Sequence, residues 1–354
     1  MFDCAKDVLA YHDQQVTLTQ GERDEMRKRR DANRNRLEKG LAAVDDPAPH
    51  HFKSQGSYAM KTMVQDENRD YDIDDGVYFD KEDLVGARGA EMTSLQARQM
   101  VCDAIDDGSF ATPPEVRKNC VRVYYQAGYH VDLPVYRRTV TKNWRGEEEV
   151  TYELASSSWK RSDARDVTNW FELENTNQSP DTSNGRQLRR VTRVSKDFAR
   201  SRISWRGRNL SGFGITKLVT ETYRPDAARE DKAVYDTLKA MRDRLNRSLV
   251  IHHPCTQGET ITQGTDDAKA RFMRDKLVEA IDNLAILFQP DCTRAQALKA
   301  WDKAFNTDFF SERADTATKA IGAPAILTSG LLRAAGERAA ATAPVIKDGG
   351  GRYA

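Results

Sequence analysis

Three aspartates fall within four positions in DIDDG, residues 72–76. The run around them, 71–79, otherwise reads as a β-strand. Carboxylates repel one another and are poor strand formers, so the clustering needs a reason. Side chains alternate along a strand, which puts Asp72 and Asp74 on one face, about 7 Å apart, and Ile73 on the other. Such a pair can grip a divalent cation, and a carboxylate from a neighbouring strand would complete the set. Asp132, in HVDLPVY (130–136), is suitably placed. Hard oxygen donors suit Mg²⁺, which keeps some waters and takes phosphate oxygens as its remaining ligands. Two such ions can activate an attacking hydroxyl and steady a phosphate undergoing in-line displacement. The competing reading is an acidic surface strand facing solvent or basic neighbours.

Gly56 and Ser57 lie upstream, after Gln55. A glycine lets backbone approach a phosphate, and a helix start offers free N–H groups. Residues 186–208 are basic, and Arg189, Arg193, Lys196 and Arg200 share one helical face at spacings of four, three and four. Leu188, Val191, Val194 and Phe198 form an apolar stripe on another side. The basic face could hold a triphosphate, a duplex backbone, or only water. A second basic block, residues 23–39, reads as a long charged surface helix, with nucleic-acid binding as the alternative. His252, His253 and Cys255 could ligate zinc, but no second Cys/His pair follows at closed-site spacing. His130 shares a strand face with Asp132. Tyr58 is either a base-stacking ring or a core aromatic.

These residues need elements to hold them. A helix is expected over 3–16. Thr19 and Glu22 have capping-box spacing and start a second helix, expected to stop near Gly40. A short helix over 57–64, a strand over 71–79 and a helix over 91–107 follow. Two strands, CVRVYYQ and HVDLPVY, are joined around Gly128, and Pro134 puts the second at an edge or bulge. From 187 onward the pattern is mostly helical. The division expected is 1–165 (catalytic-type core with N-terminal helices), 166–345 (helical domain) and 346–354 (mobile tail). The fold class is α+β.

The 354 residues suffice for two domains, and a net charge of +1 leaves any nucleic-acid argument to local clustering. No apolar run approaches the roughly 18 residues of a membrane span, and the N-terminus lacks secretory-signal character. Five scattered cysteines suit reduced thiols, so a cytoplasmic protein without a membrane partner is expected.

The order Gly-Ser, short helix, Asp-x-Asp and later strand Asp resembles the polymerase-β-type nucleotidyltransferase fold. More narrowly, QGSYAMKT, DYDIDDGVYF, HVDLPVY, LRRVTRVSKDF and LSGFGITKL resemble bacterial cyclic-oligonucleotide synthases related to cyclic GMP-AMP synthase and oligoadenylate synthase. The resemblance spans about residues 50–220. It implies a long N-terminal helix, a mixed sheet with flanking helices, and an oligoadenylate-synthase-type helical domain. It implies two Mg²⁺ ions, or Mn²⁺ in their place, on Asp72, Asp74 and Asp132. Gln55, Gly56, Ser57 and Lys196 would bind the ATP or other NTP substrate. Ser211 matches the serine of a Pro-Ser helix start, although Leu210 replaces the proline. The implied products are cyclic di- or trinucleotide second messengers in anti-phage signalling. Duplex DNA or a HORMA-type protein would be the activating partner. The alternatives are a nucleotidyltransferase with a tRNA or protein acceptor, or a catalytically silent nucleic-acid sensor of the same fold.

Overall fold

The computed structural model describes residues 1–66, 71–86, 89–126 and 128–313. The tail expected at 346–354, and the end of the helical segment from 314, lie outside the described residues.

Helix α1 (Ala5–Tyr11) continues into a π-helical turn, His12–Val16. Helix α2 (Gln20–Ala43) starts at the expected capping box, in which the Thr19 hydroxyl accepts from Glu22 N–H and the Glu22 carboxylate accepts from Thr19 N–H. It does not stop at Gly40. A Cβ there would overlap the Ala104 carbonyl, so the glycine serves close crossing of α2 with a later helix. Strand β1 (His51–Ser54) leads into the short α3 (Gly56–Ala59), and β2 (Asp72–Asp80) follows. Helix α4 (Ser94–Ile105) precedes β3 (Glu115–Val116), β4 (Val121–Tyr124), β5 (His130–Leu133), β6 (Val135–Lys142), β7 (Glu148–Ala155) and β8 (Trp159–Arg161).

Strand β2 lies centrally, antiparallel to β1 on one side and parallel to β5 and β6 on the other. Strands β5 and β6 keep one register against it: Asp74 faces Asp132 and Val77 faces Val135. They are a single strand broken at Pro134, whose carbonyl accepts from Val77 N–H at 2.8 Å. The outer neighbours are β4 along β5 and β7 along β6. Pro134 therefore sits inside the sheet rather than at an edge. The break is tolerated where β4 gives way to β7.

Alternation along β2 gives the sheet two different faces. Ile73, Val77 and Phe79 join Val121, Val123, Val131 and Leu133 in a core covered by Met26, Leu37 and Leu41 of α2 and Ala97, Val101 and Ile105 of α4. Asp72, Asp74 and Tyr78 belong to the other face.

Beyond Arg161 the described elements are helices: α5 (Ala164–Gln178), α6 (Gln187–Arg200), α7 (Gly212–Thr222), α8 (Glu230–Arg247), α9 (Ala268–Leu284) and α10 (Arg294–Phe305), with short 3₁₀ turns between some of them. Leu188, Val191, Val194 and Phe198, the stripe read in the sequence, are buried in their common core. Cys4, Val8, Tyr11 and Val16 join the same core. Residues 1–16 thus pack into the helical layer, whereas the sequence reading grouped them with the sheet. No helix among the described residues is long and apolar enough to cross a membrane.

Candidate active site

The parallel pairing of β2 and β5 sets Asp74 directly across from Asp132, and Asp72 across from His130. Three carboxylates and an imidazole therefore share one face of two adjacent strands, as the spacing implied. Asp132 is buried, 1 % exposed, while the Asp72 side chain, 55 % exposed, stands at the mouth. Among the described residues Asp74 has no ion-pair partner. Desolvation, then the negative charges of Asp132 and Asp72, push its carboxyl well above the usual range. For Asp72 desolvation acts upward too, but the hydrogen bond from His130 and the charge of Arg122 outweigh it and hold the carboxyl below the usual range. Converging like charges of this kind suit a site made for a cation.

Asp132 has a partner. Arg122 of β4 lies opposite it in the antiparallel register and donates from Nε and Nη2 to its two oxygens, both at 2.7 Å. The same guanidinium is 3.7 Å from Asp72 Oδ1. Among the described residues no group of three or more His, Cys, Asp or Glu side chains is arranged to hold a metal as it stands. The donor set fits Mg²⁺ or Mn²⁺ in chemistry, all hard oxygens on one face. Its third member is held by an arginine instead.

The Gly56 turn is stitched to this strand, with Gln55 N–H donating to the Asp74 carbonyl at 2.8 Å. Gly56 has φ +60°, and a Cβ there would overlap Asp74 Oδ2. A glycine is required on both counts. Ser57 is half-buried in α3, and its carbonyl accepts from Thr62 N–H at 2.9 Å. Gln55 is 2 % exposed, and its amide bridges the Tyr78 and Tyr136 hydroxyls at 3.0 and 3.1 Å. It lies in the layer beneath the turn. The rings of Tyr78 and Tyr136 stack at 4.6 Å, and His51 stacks on Tyr78 at 4.4 Å.

Lys196 of α6 is buried at 3 % exposure, and its Nζ donates to the Thr62 hydroxyl at 2.8 Å and the Thr62 carbonyl at 3.2 Å. Desolvation, then Arg200 and Arg193, depress its pKa well below the lysine range. Among the described residues it has no carboxylate partner. It is a cation short of an anion, joined through Thr62 to the Ser57 turn. Ser211 caps α7, its hydroxyl accepting from Gly214 N–H at 3.1 Å. A Cβ on neighbouring Gly212 would lie 3.7 Å from Lys196 Cε, so Lys196 and the start of α7 are adjacent.

The arginines considered for a duplex face are mostly engaged internally. Arg189 donates to Glu172 and Met60 O, and Arg190 to Glu230 and Asp181. Arg193 donates to Lys61 O, and Arg202 to Ala304 O and Lys303 O. On α2, Arg34 and Arg36 are tied to Asp75 and Asp107, and Arg29 lies over Tyr129. Arg206 pairs with Asp66 at 3.5 Å. Periodicity predicts a shared face without saying whether that face is inward, and α6 is buried on almost every side. Arg23, Arg27, Arg200 and Arg208 stay exposed.

Residues 50–136 match the family model of the DncV-like cyclic GMP-AMP synthase nucleotidyltransferase domain. This segment is a DncV-like nucleotidyltransferase domain. The match begins before β1 and ends in β6, so it holds all three aspartates and the Gly56-Ser57 turn. The whole chain also has the fold of solved relatives. Vibrio cholerae DncV cyclic AMP-GMP synthase, bound to nonhydrolyzable GTP, is 16% identical, with a TM-score of 0.67 over 86% of this chain and 96% of that one. Escherichia coli DncV in a 3′-deoxy GTP bound form is 16% identical, with a TM-score of 0.63 over 84% and 93%. Escherichia coli CdnC, complexed with a HORMA protein, is 18% identical, with a TM-score of 0.62 over 86% and 98%.

Within this DncV-like domain, two residues went unread in the sequence. Arg122 alternates with the buried Val121 and Val123 in CVRVYYQ. Pairing that strand with HVDLPVY as a hairpin around Gly128 would have found it opposite Asp132. Asp75, the third aspartate of DIDDG, points to the other sheet face. There it is fully buried, accepting from Arg34 Nε and Nη2, both at 2.6 Å, and from Ser54 Oγ at 2.9 Å. It fastens α2 to β2.

Proposed function

We propose that this chain is a template-independent nucleotidyltransferase that joins ATP, alone or with other NTPs, into cyclic di- or trinucleotides. The observation that carries this is the placement of Asp72, Asp74 and Asp132 on one face of paired strands, with the Gly56 backbone pressed against Asp74. The family-model match over the same residues supports it.

Asp72, Asp74 and Asp132 would hold two Mg²⁺ ions, with Mn²⁺ able to replace them. When bound, the metals would lower the pKa of the attacking hydroxyl and neutralise charge on the transferring phosphate. The chain supplies the rest. Lys196 offers a buried positive charge for the triphosphate, which a phosphate oxygen satisfies better than the neutral Thr62 acceptors do. Ser57 and the Gly56 turn line the donor side. Ser211 fixes the first turn of α7 beside Lys196. Gln55, clamped by Tyr78 and Tyr136, orients the turn from below rather than reaching the substrate itself.

Two solved relatives of the same fold are described with GTP or an analogue of it, and CdnC is described with ATP and with a HORMA protein. These descriptions support NTP substrates and a HORMA-type partner here. By the same analogy the product is a second messenger of cytoplasmic anti-phage defence. The internal pairing of most named arginines favours control by a protein over control by duplex DNA.

The test is pyrophosphate release from ATP with Mg²⁺. Asp72→Asn combined with Asp74→Asn is expected to reduce it to the blank. The metal-free thermal midpoint should hold or rise, because two converging charges are removed. Turnover surviving in the double variant sinks the assignment.

A further inference from the structure

The Arg122–Asp132 pair has the features of a built-in competitor for metal. Asp132 is 1 % exposed and the Arg122 side chain 17 %. The fork is bidentate, with both bonds at 2.7 Å, and engages both carboxylate oxygens. Nη2, one of the two nitrogens bonded to Asp132, is also 3.7 Å from Asp72 Oδ1, so one cation lies between two of the three carboxylates. Asp74, which lies beside Asp132 in register, has no ion-pair partner among the described residues. One positive charge thus stands where a divalent ion would need the same oxygens.

We propose that Arg122 is a resident counter-ion that exchanges with metal. It holds Asp132 and Asp72 while the site is empty, and it must give up Asp132 before that carboxylate can ligate an ion. This inference rests on the reading of the three aspartates as a metal site and adds a control to it. Metal alone binds weakly because it must displace a bidentate, largely buried pair. The nucleotide helps, because its phosphates contribute ligands to the metal and offer the released guanidinium a new anion. Metal and nucleotide therefore load together, and the idle enzyme keeps its carboxylates neutralised. Coupling between two such cations is expected to fall in the usual range for linked sites, roughly 5–150-fold in affinity. It is reciprocal: metal weakens the arginine pair as much as the pair weakens metal.

Binding of Mn²⁺ without nucleotide is the test, read by electron paramagnetic resonance of the free ion and by calorimetry. The chains compared are wild type, Arg122→Gln and Arg122→Lys, each full length. Arg122→Gln keeps a neutral amide donor on a shorter side chain and removes the charge. It is expected to bind Mn²⁺ at least about 5-fold more tightly than wild type. Arg122→Lys keeps the charge without the fork and should fall between them. The gain in thermal midpoint on adding Mn²⁺ alone should follow the same order, which also controls for a variant that is simply less stable. A purely structural Arg122 predicts Mn²⁺ affinity in Arg122→Gln equal to or below wild type, and that result overturns the proposal. If wild type binds Mn²⁺ in the presence of a nonhydrolysable ATP analogue while Arg122→Gln shows no gain with Mn²⁺ alone, the exchange is wrong and the metal site stands. If no chain binds Mn²⁺ even with the analogue, both readings fall.

Discussion

Gly56→Ala probes the joint between the glycine turn and strand β2, which carries Asp74. The residue has φ +60°, where an alanine costs roughly 1–2 kcal/mol. Its Cβ would overlap Asp74 Oδ2 and lie 3.3 Å from Asp74 Cγ. Restoring ordinary contact, about 3.5–4.0 Å, requires the carboxylate to move by about 1 Å. Overpacking of this kind adds about 1–3 kcal/mol, for a total of roughly 2–4 kcal/mol. A thermal midpoint drop of about 3–5 °C should follow for a chain of this length. A shift of about 1 Å in a group that positions the reaction costs on the order of 10²-fold in turnover. The overlap can be separated from the backbone strain by a double-mutant cycle on stability. In an Asp74→Gly background the added Cβ has no carboxylate to meet, so only the strain remains. The two substitutions should therefore couple by about 1–2 kcal/mol. Urea unfolding of the four proteins measures the coupling, and pyrophosphate release measures the turnover of Gly56→Ala. Wild-type turnover in Gly56→Ala, or additive stabilities in the cycle, would refute the reasoning.

Lys196→Met should weaken ATP binding by about 10–150-fold in calorimetry, the worth of a charge-assisted hydrogen bond. It should raise the nucleotide-free midpoint, because it removes a buried cation with no carboxylate partner. Asp75→Ala should cost about 3 kcal/mol in urea unfolding by leaving Arg34 unpaired, with metal-dependent turnover of the folded fraction retained. The Asp197 carboxyl, half-buried and hydrogen-bonded by Tyr11 at 2.6 Å, is pushed up to about 6 by desolvation. The native state then binds more protons than the unfolded chain between about pH 4 and 6, so stability falls as pH rises through that window. Asp197→Asn should remove that fall, at most about 3 kcal/mol, and gain on wild type from pH 4 to 7 in thermal scans. A constant difference between the two across that range would contradict it.

The shared face of the three aspartates was legible because strand alternation is rigid. Asp72 and Asp74 had to share a face, and Asp132 needed only a parallel neighbour in register. The capping box at Thr19 and the apolar stripe of α6 were readable for the same reason, since each depends on fixed local spacing. What sequence spacing does not carry is which side of an element faces inward. The basic face of α6 meets Glu172 of α5 and the 60–62 stretch, so Arg189 and Arg193 are buried where a solvated face was the simpler expectation, and Lys196 is buried beside them. Gln55 was assigned by resemblance to the substrate, yet its amide is held between two tyrosine hydroxyls that are distant in sequence. Arg122 and Arg34 escaped notice because their partners, Asp132 and Asp75, are chosen by strand pairing and helix docking. Gly40 reads as a helix stop by local rules, but its actual role is the close crossing of α2 and α4.

The central claim is that this chain makes cyclic oligonucleotides on the Asp72, Asp74 and Asp132 face. Mass spectrometry of the products formed from four NTPs with Mg²⁺ or Mn²⁺ tests it most directly, with the Asp72→Asn, Asp74→Asn double variant run beside wild type. The account predicts masses of cyclic di- or trinucleotides with stoichiometric pyrophosphate in the wild-type reaction and neither in the variant. Where activation by a HORMA-type protein is needed, the same masses should emerge once that partner is added. Nucleotide transferred onto a tRNA or a protein instead, or cyclic products undiminished in the double variant, would contradict it.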